Sequence, residues 1–277
     1  MNLALSFLLA ARRSEMQALA QLRATSDLVR DMSEWVHRLQ RERGASNLYL
    51  ASRGQRFVSQ REQCVADSQT LEQTVRARHF AAEADPGATY GGMRVLSRIA
   101  QLLHALDGLP ALRLQVAQRR IGVEEATRGY GELIAAMLSV VWEAADTAAD
   151  PGVSRALVAL FNLMRGKELA GQERAAGTAA CAAACFAPAT EQRLLNLVEA
   201  QGRCFQTFAE FADPALQRMW QHLLDSADTR AVEQWRSVLR DPGPARCAPQ
   251  AGERWFEAAT RRIDALRLIE DAATSAV

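Results

Sequence analysis

The sequence predicts an all-α protein, because signals for strands are nearly missing and helical periodicity runs through almost the whole chain. Residues that favour helices, chiefly Ala, Leu, Glu, Gln and Arg, dominate its 277 residues. Runs that alternate β-branched or aromatic residues with polar ones between turn pairs are lacking. Gly and Pro interrupt the pattern, so roughly eight to ten helices with short loops are expected. Short loops favour antiparallel neighbours, and helix bundles are therefore the predicted architecture.

The helices of the first half are defined by apolar periodicity between breakers. The first covers about 3–52, with a candidate break at the N-cap cluster Thr25-Ser26-Asp27 and an end at Ser52-Arg53-Gly54. A loop is predicted at Ala84-Asp85-Pro86-Gly87. The other helices of this half are predicted at about 56–82 and 93–106, from Pro110 to about 119, and from Val123 towards Asp150.

The pair Pro151-Gly152 is predicted to separate a first bundle, about 1–150, from a second, about 151–277. Both belong to one predicted domain over 1–277, and the first long helix is a candidate to be shared between them. A loop rich in breakers, Asp241-Pro242-Gly243-Pro244, precedes the last helix. The helices of the second half are predicted at about 153–177 and 189–211, from Pro214 onwards, and at about 229–240 and 251–275.

Charge and cysteine content limit the classes of partner and compartment. A net charge of +1 gives no reason to expect nucleic acid or anionic membrane to bind across the whole surface. The five scattered cysteines form no CxxC pair and suit free thiols in a reducing cytoplasm: Cys64, Cys181, Cys185, Cys204 and Cys247. No apolar run reaches the roughly 18 residues of a membrane span. The apolar residues 3–11 are predicted to be the buried start of a helix.

Enzyme motifs are lacking. The sequence has no phosphate-binding glycine loop, no HExxH, no GxSxG and no zinc-knuckle spacing. Cys181 and Cys185 lie one turn apart, but none of the four histidines is near them in sequence, so no metal site is expected. The prediction is a protein that is not an enzyme and has no cofactor.

An arginine falls on the apolar stripe of the first helix. That stripe is formed by Leu28, Met32, Trp35 and Leu39. The i+3/i+4 spacing continues it to Arg43 and Ser46, with Gly44 beside the arginine as a residue that allows close packing. A cation on an inner helix face is costly unless an anion or a carboxylate meets it. Taken alone, the segment favours a buried ion pair with a Glu of another helix over an anion ligand.

A second helix has the same organisation. Its stripe is formed by Leu157, Leu160, Phe161 and Met164. It continues into the charged turn at Lys167 or Glu168, then reaches Gly171 and the pair Arg174-Ala175. Small side chains at this end of the helix would let another helix approach closely.

Several segments resemble the nitrate- and nitrite-sensing (NIT) domain. Arg41-Glu42-Arg43-Gly44-Ala45-Ser46 and residues 166–175, GKELAGQERA, are similar to its two signature segments. The closing residues 254–264 resemble the last helix of that family, and residues 7–13 resemble the opening of its nitrate-responsive antiterminators. The resemblance covers about 25–270. It implies an all-α fold of two packed antiparallel four-helix bundles, with the anion held between or beside them.

The resemblance implies that Arg43 and Arg174 bind nitrate or nitrite. For Arg174, a structural pair with Glu168 or Glu42 is an equally weighted alternative. Ser46 is expected to add a hydroxyl donor.

A third ligand is proposed at Arg236, which follows Trp235 on the inner edge of a short helix. The alternative favoured for Arg236 is an exposed helical arginine. Arg230, in the first turn of the same helix, is a weaker candidate, because backbone N–H groups there would also face an anion.

The chemistry of a guanidinium suits nitrate, which is planar, singly charged and weakly hydrated. Guanidinium is itself planar, delocalised and weakly hydrated, and offers directional donors. Arginines from several helices that converge on one anion would tie those helices together, so binding would reorient them. This chemistry and the resemblance together predict a cytoplasmic sensor that signals through helix rearrangement, and the resemblance implies a role in transcription antitermination.

The expected partners are the small anion, a second copy of the chain in a homodimer, and an output protein. Antiterminators of the family carry an RNA-binding ANTAR module after the sensor, and the chain stops at Val277 without one. A partner acting in trans or a truncated regulator is therefore expected, with no direct binding of nucleic acid and no membrane. The alternative function is a helical structural or interaction module with a degenerate anion site, which acts through a protein partner.

Overall fold

A computed structural model describes residues 3–81, 90, 92–182, 187–240 and 251–277. Every regular element within those residues is an α-helix, so the predicted all-α class is confirmed. Four predictions lie outside the described residues: the loop at Ala84-Asp85-Pro86-Gly87, the loop at Asp241-Pro242-Gly243-Pro244, and the thiols of Cys185 and Cys247.

The chain divides into two compact units, Met1–Asp150 and Pro151–Val277. In the first unit, α1 packs against α2 and α5, and α3 packs against α5. The helices of this unit are α1 (Leu3–Ala51), α2 (Val58–His79), α3 (Met93–Leu106), α4 (Leu109–Ala117) and α5 (Val123–Thr147).

Helix α1 is continuous, so the predicted break at Thr25-Ser26-Asp27 is wrong. Side chains of the N-cap type start a helix only where the preceding turn does not already supply hydrogen-bond acceptors, and here it does. The buried face of α1 begins at Leu28. The prediction of a buried N-terminal start is also wrong, because large apolar side chains from Leu3 to Leu19 are exposed in the described structure.

The end of α1 is confirmed at the predicted glycine. Gly54 has φ of +76°, a left-handed conformation that favours glycine. A Cβ on Gly54 would lie 3.0 Å from Cδ of Arg119 and 3.2 Å from the hydroxyl of Tyr49. That hydroxyl donates to the carbonyl oxygen of Ala117 at 3.1 Å, so the end of α1 is fastened to the end of α4.

In the second unit, α6 packs against both α7 and α10, and α10 also contacts α8 and α9. The central position of α6 follows from its buried stripe, which includes Leu157, Leu160 and Met164 as predicted. The helices of this unit are α6 (Pro151–Ala182), α7 (Pro188–Phe211), α8 (Pro214–Leu224), α9 (Ala227–Arg240) and α10 (Ala251–Ser275).

Two glycines bring aromatic rings against the backbone of α6. A Cβ on Gly166 would overlap the ring of Phe205, and one on Gly177 would lie 2.5 Å from Nε1 of Trp255. Trp255 stacks on Trp235 with 3.9 Å between ring centroids. These contacts hold α7, α9 and α10 to α6. None of the helices in the described ranges is long and apolar enough to cross a membrane.

Candidate functional site

Arg43 continues the buried face of α1, as the periodicity predicts. Leu39 has no solvent exposure, and Arg43 has only 6% although it carries a guanidinium. Ser46, one turn further, is fully buried and lies 3.4 Å from the hydroxyl of Tyr130 on α5. Gly44 is not a close-packing position, because a Cβ there would meet nothing within 4 Å in the described structure.

Glu42, the neighbour of Arg43, is the centre of a buried polar network that the sequence did not reveal. Its two carboxylate oxygens accept from Nε and Nη2 of Arg113, each at 2.9 Å. The hydroxyl of Tyr130 donates to the same carboxylate at 2.7 Å. Burial and the charge of Glu42 raise the pKa of the Tyr130 hydroxyl. The hydrogen bond to Glu42 raises the pKa of Arg113, against the effect of its burial.

Arg113 extends this network to α2. Its Nη2 donates to Ser68 at 3.1 Å, and its Nη1 lies 3.3 Å from a carboxylate oxygen of Glu72. Its carbonyl oxygen accepts from Nη2 of Arg61 at 3.0 Å. Four helices, α1, α2, α4 and α5, therefore meet around Glu42. The network sets the rotation of α1 next to Arg43.

Arg174 lies on the side of α6 that faces α10. Its Nη1 donates to Oγ1 of Thr260 at 2.9 Å, and its guanidinium lies 5.1 Å from the ring centroid of Phe256. Its carbonyl oxygen accepts from Nε1 of Trp255 at 3.1 Å. Burial raises the pKa of Asp264, and the charge of Arg174 opposes that rise. Arg174 is only partly buried, so its donors remain within reach of solvent.

Arg236 is buried, which contradicts the favoured alternative of an exposed helical arginine. Its Nε and Nη2 donate to the two carboxylate oxygens of Glu173 at 2.8 and 2.6 Å. Its Nη2 also donates to Oε1 of Gln201 at 2.9 Å, and Gln201 donates to Glu173 at 2.6 Å. Burial lowers the pKa of Arg236, but the hydrogen bonds and charges of Glu173 and Glu233 together raise it above its ordinary value.

Arg230 occupies the first turn of α9, as predicted, but it is exposed. Its Nη1 donates to the carbonyl oxygen of Asp225 at 2.6 Å. The guanidinium is thus held at the junction of α8 and α9.

The structure distributes the predicted residues between the two units. Arg43 and Ser46 belong to the first, and Arg174, Arg230 and Arg236 to the second. Within the second unit, the consecutive residues Glu173 and Arg174 of α6 reach different helices, because Glu173 binds Arg236 while Arg174 contacts α10. Whether these side chains bind an anion stays a prediction.

Sequence reasoning missed Arg262 on α10. This residue is 5% exposed and donates to Oε1 of Gln201 from Nη1 at 3.4 Å. The buried face of α10 runs through Trp255, Ala259, Arg262, Leu266 and Ile269. This is the same i+3/i+4 pattern that identified Arg43, so the signal was present in the sequence.

Metal binding and nucleophilic catalysis have little support among the described residues. These residues hold no group of three His, Cys, Asp or Glu side chains arranged to bind a metal. A pocket of about 440 Å³ is lined by residues from the ends of α1 and α4, and none of the predicted ligands lines it. Burial raises the pKa of the Cys64 and Cys204 thiols, which makes them poor nucleophiles.

Comparison with known proteins matches this organisation to one family. The family described as "Nitrate and nitrite sensing" matches residues 34–277. The chain is 33% identical over 261 residues to the nitrate regulatory protein of Klebsiella oxytoca, covering 94% of this chain and 64% of that protein. The chain thus spans less than two thirds of that relative.

A solved structure gives the same result for the fold. It is titled "Structure of the NasR transcription antiterminator", and the two structures superpose with a TM-score of 0.84 at 31% identity. The match covers 98% of this chain and 72% of that one. By their names, both relatives are regulators and neither is an enzyme. The chain therefore belongs to the family of nitrate- and nitrite-sensing (NIT) domains.

Proposed function

We propose that this chain is a cytoplasmic sensor that binds nitrate or nitrite through arginine side chains and signals by a change in helix packing. The observation that carries the proposal is the family match over residues 34–277, a range that contains all five predicted ligands. The thiols of Cys64 and Cys204 support a reducing compartment. The relatives support a role in regulating transcription, by antitermination in the case of NasR.

The burial of Arg43 supports it as a ligand in the first unit. A guanidinium at 6% exposure lies in a medium of low dielectric, where a charge-assisted hydrogen bond to an oxyanion is strong. The neighbouring carboxylate of Glu42 is already bound by Arg113 and Tyr130, each through hydrogen bonds of 2.9 Å or less. The network thus fixes the segment of α1 that carries Arg43. Ser46 provides a hydroxyl one turn from Arg43.

Arg174 is the corresponding ligand in the second unit. Its guanidinium stands over Phe256 and donates to Thr260, and both belong to α10. An oxyanion that takes the place of the Thr260 hydroxyl would form a stronger, charge-assisted hydrogen bond. Loss of the bond to Thr260 would then alter how α6 packs on α10. Binding therefore favours one packing over the other, which is the difference that a sensor requires.

The part of the regulator that receives the signal is proposed to lie outside this chain. The relative is longer than this chain, which spans 64% of it, so a separate output protein or an RNA-binding ANTAR module is the proposed recipient of the signal. A homodimer is the proposed assembly. These residues themselves are not proposed to bind nucleic acid.

A thermal-shift titration with nitrate, nitrite and chloride at matched ionic strength tests the proposal. Ligand at about 100 times its dissociation constant adds about 2.7 kcal/mol to the free energy of unfolding. We expect nitrate and nitrite to raise the melting temperature at millimolar levels or below, and chloride to have little effect. Equal shifts with all three anions would contradict the proposal.

The substitution Arg43→Ala is expected to abolish the nitrate shift while the protein remains helical. Arg41→Ala is the matched control, because Arg41 is the neighbouring arginine and is exposed. Normal binding by Arg43→Ala would make Arg43 a structural residue.

The alternative is an interaction module without a working anion site. The exposed apolar side chains on the first turns of α1, including Leu3, Phe7 and Leu8, favour a protein partner. This alternative predicts no stabilisation by nitrate or nitrite in the same titration.

A further inference from the structure

Arg262 is a buried cation that forms no ion pair of its own among the described residues. Its side chain is 5% exposed, its Nε has no hydrogen-bond partner, and its guanidinium forms no ion pair among the described residues. Its one hydrogen bond, from Nη1 to Oε1 of Gln201, is 3.4 Å long. A charged group in this position destabilises the fold unless something compensates it.

Arg262 shares its one fully buried carboxylate neighbour with Arg236. Arg236 and Arg262 both donate to Oε1 of Gln201, and Glu173 is the one fully buried carboxylate beside them. The other nearby carboxylate, Glu233, is about half exposed and pairs with Arg236. Burial and the charge of Arg236 lower the pKa of Arg262 to about 10. The buried part of the cluster thus holds two cations and one anion.

The geometry restricts how a ligand approaches Arg262. The face of its guanidinium lies 5.6 Å from the ring centroid of Phe205, and Phe205 is backed by Gly166 and by Trp220 at 4.9 Å. The ring covers one face of the guanidinium, and Nε on its edge has no hydrogen-bond partner among the described residues. An edge with two coplanar donors matches two oxygens of a planar oxyanion.

We propose that Arg262, with Arg236 beside it, forms a subsite for a single monovalent planar oxyanion in the second unit. The proposal rests on the proposed function and names nitrate or nitrite as the occupant. The anion gives Arg262 a charged partner of its own, and its oxygens bind Nε and an Nη donor of Arg262. The side-chain oxygen of Gln201 then no longer has to accept hydrogen bonds from two guanidinium groups.

Occupation of this subsite changes helix packing. Glu173 lies on α6, Gln201 and Phe205 on α7, Arg236 on α9 and Arg262 on α10, so four helices meet here. Nε of Arg262 has no solvent access, so an anion enters only if α10 shifts against α7. Binding and rearrangement are therefore the same event at this position.

The test compares Arg262→Met with Arg261→Met in the full chain. Met keeps an unbranched apolar stem in place of the aliphatic part of Arg and removes the charge. Arg261 is the exposed neighbour and pairs with Asp228, which makes it the matched control. The melting temperature without nitrate and the dissociation constant for nitrate are measured, the latter by calorimetry with chloride used to hold the ionic strength.

For Arg262→Met we expect a melting temperature that is equal or higher without nitrate, because a buried charge without an ion pair of its own is removed. We also expect its affinity for nitrate to fall by about tenfold or more, since a charge-assisted pair is lost. Arg261→Met is expected to bind like the wild type.

A lower melting temperature with an unchanged dissociation constant would overturn the proposal, because Arg262 would then be a structural cation on Phe205. If Arg262→Met does not fold, Arg262→Lys decides, since it keeps the charge without the planar donors. Weaker nitrate binding by Arg262→Lys supports the subsite, and unchanged binding overturns it. Failure of the wild type to bind nitrate is a different result, which refutes the proposed function itself.

Discussion

The carboxylate of Glu42 is held by two nitrogens of Arg113 at 2.9 Å each, although the two residues are 71 positions apart in the chain. Glu42 has no solvent exposure, and Tyr130 adds a third hydrogen bond. A buried carboxylate is tolerable only with such compensation. The pair therefore fixes the segment of α1 that carries Arg43 and Ser46.

Breaking this pair is expected to destabilise the first unit. Glu42→Gln leaves the guanidinium of Arg113 without its main counter-charge, with Glu72 as a weaker substitute at 3.3 Å. We expect the free energy of unfolding to fall by about 3 kcal/mol, measured by urea denaturation. The control is Glu15→Gln, which breaks the exposed pair with Arg12 and should cost about 1 kcal/mol or less. Similar losses for both variants would contradict the role of the Glu42 network.

Alkaline pH is expected to destabilise the protein through Tyr130. Its pKa is raised above the ordinary value of 10.0, so the folded protein keeps the phenol proton where the unfolded chain loses it. The contribution of Tyr130 to the free energy of unfolding is then fully present below pH 10. It falls as the pH rises above 10, by up to about 1.4 kcal/mol per pH unit for one group. Tyr90, whose pKa burial and Asp31 raise to about 12, adds a similar fall between pH 10 and 12.

The measurement is the free energy of unfolding against pH for the wild type and for Tyr130→Phe. The variant should lose its share of the alkaline slope, because it has no phenol to ionise. An unchanged slope would mean that Tyr130 ionises alike in the folded and unfolded states.

Two glycines of the signature segments are expected to respond in opposite ways to a methyl group. On Gly166, a Cβ would overlap the ring of Phe205, with two further ring carbons at 2.8 Å, so Gly166→Ala should cost about 1–3 kcal/mol. On Gly44, a Cβ meets nothing within 4 Å in the described structure. Gly44→Ala should therefore stabilise α1 by up to about 1 kcal/mol. Thermal denaturation measures the effect of both substitutions. Destabilisation by Gly44→Ala would contradict the open space beside Gly44.

The assignments of Arg174 and Arg230 are separable by nitrate titration. Arg174→Met should reduce the nitrate shift in melting temperature, because it removes the donors that face Thr260 and Phe256. Arg230→Met should leave the shift unchanged, since Arg230 is exposed and bound to the carbonyl of Asp225. The reverse result would move the anion site to the first turn of α9.

The sequence by itself determined the all-α class, most of the helix boundaries and the inward position of Arg43. Each of these depends on local rules. Gly and Pro end helices because of their own backbone restrictions, and a period of 3.6 residues places every third or fourth side chain on one face. The same rule places Arg262 on an inner helix face, since it lies on the stripe through Trp255 and Leu266.

Only the tertiary structure decided the partners of the buried charges. Arg113 with Glu42, and Arg236 with Glu173 63 positions earlier, meet because of the register and rotation of packed helices, which no local pattern encodes. The exposure of the apolar start of α1 is also a tertiary result, because periodicity shows which face is apolar and not whether a neighbour covers it. A buried arginine can thus be located from sequence, whereas its counter-charge depends on the complete fold.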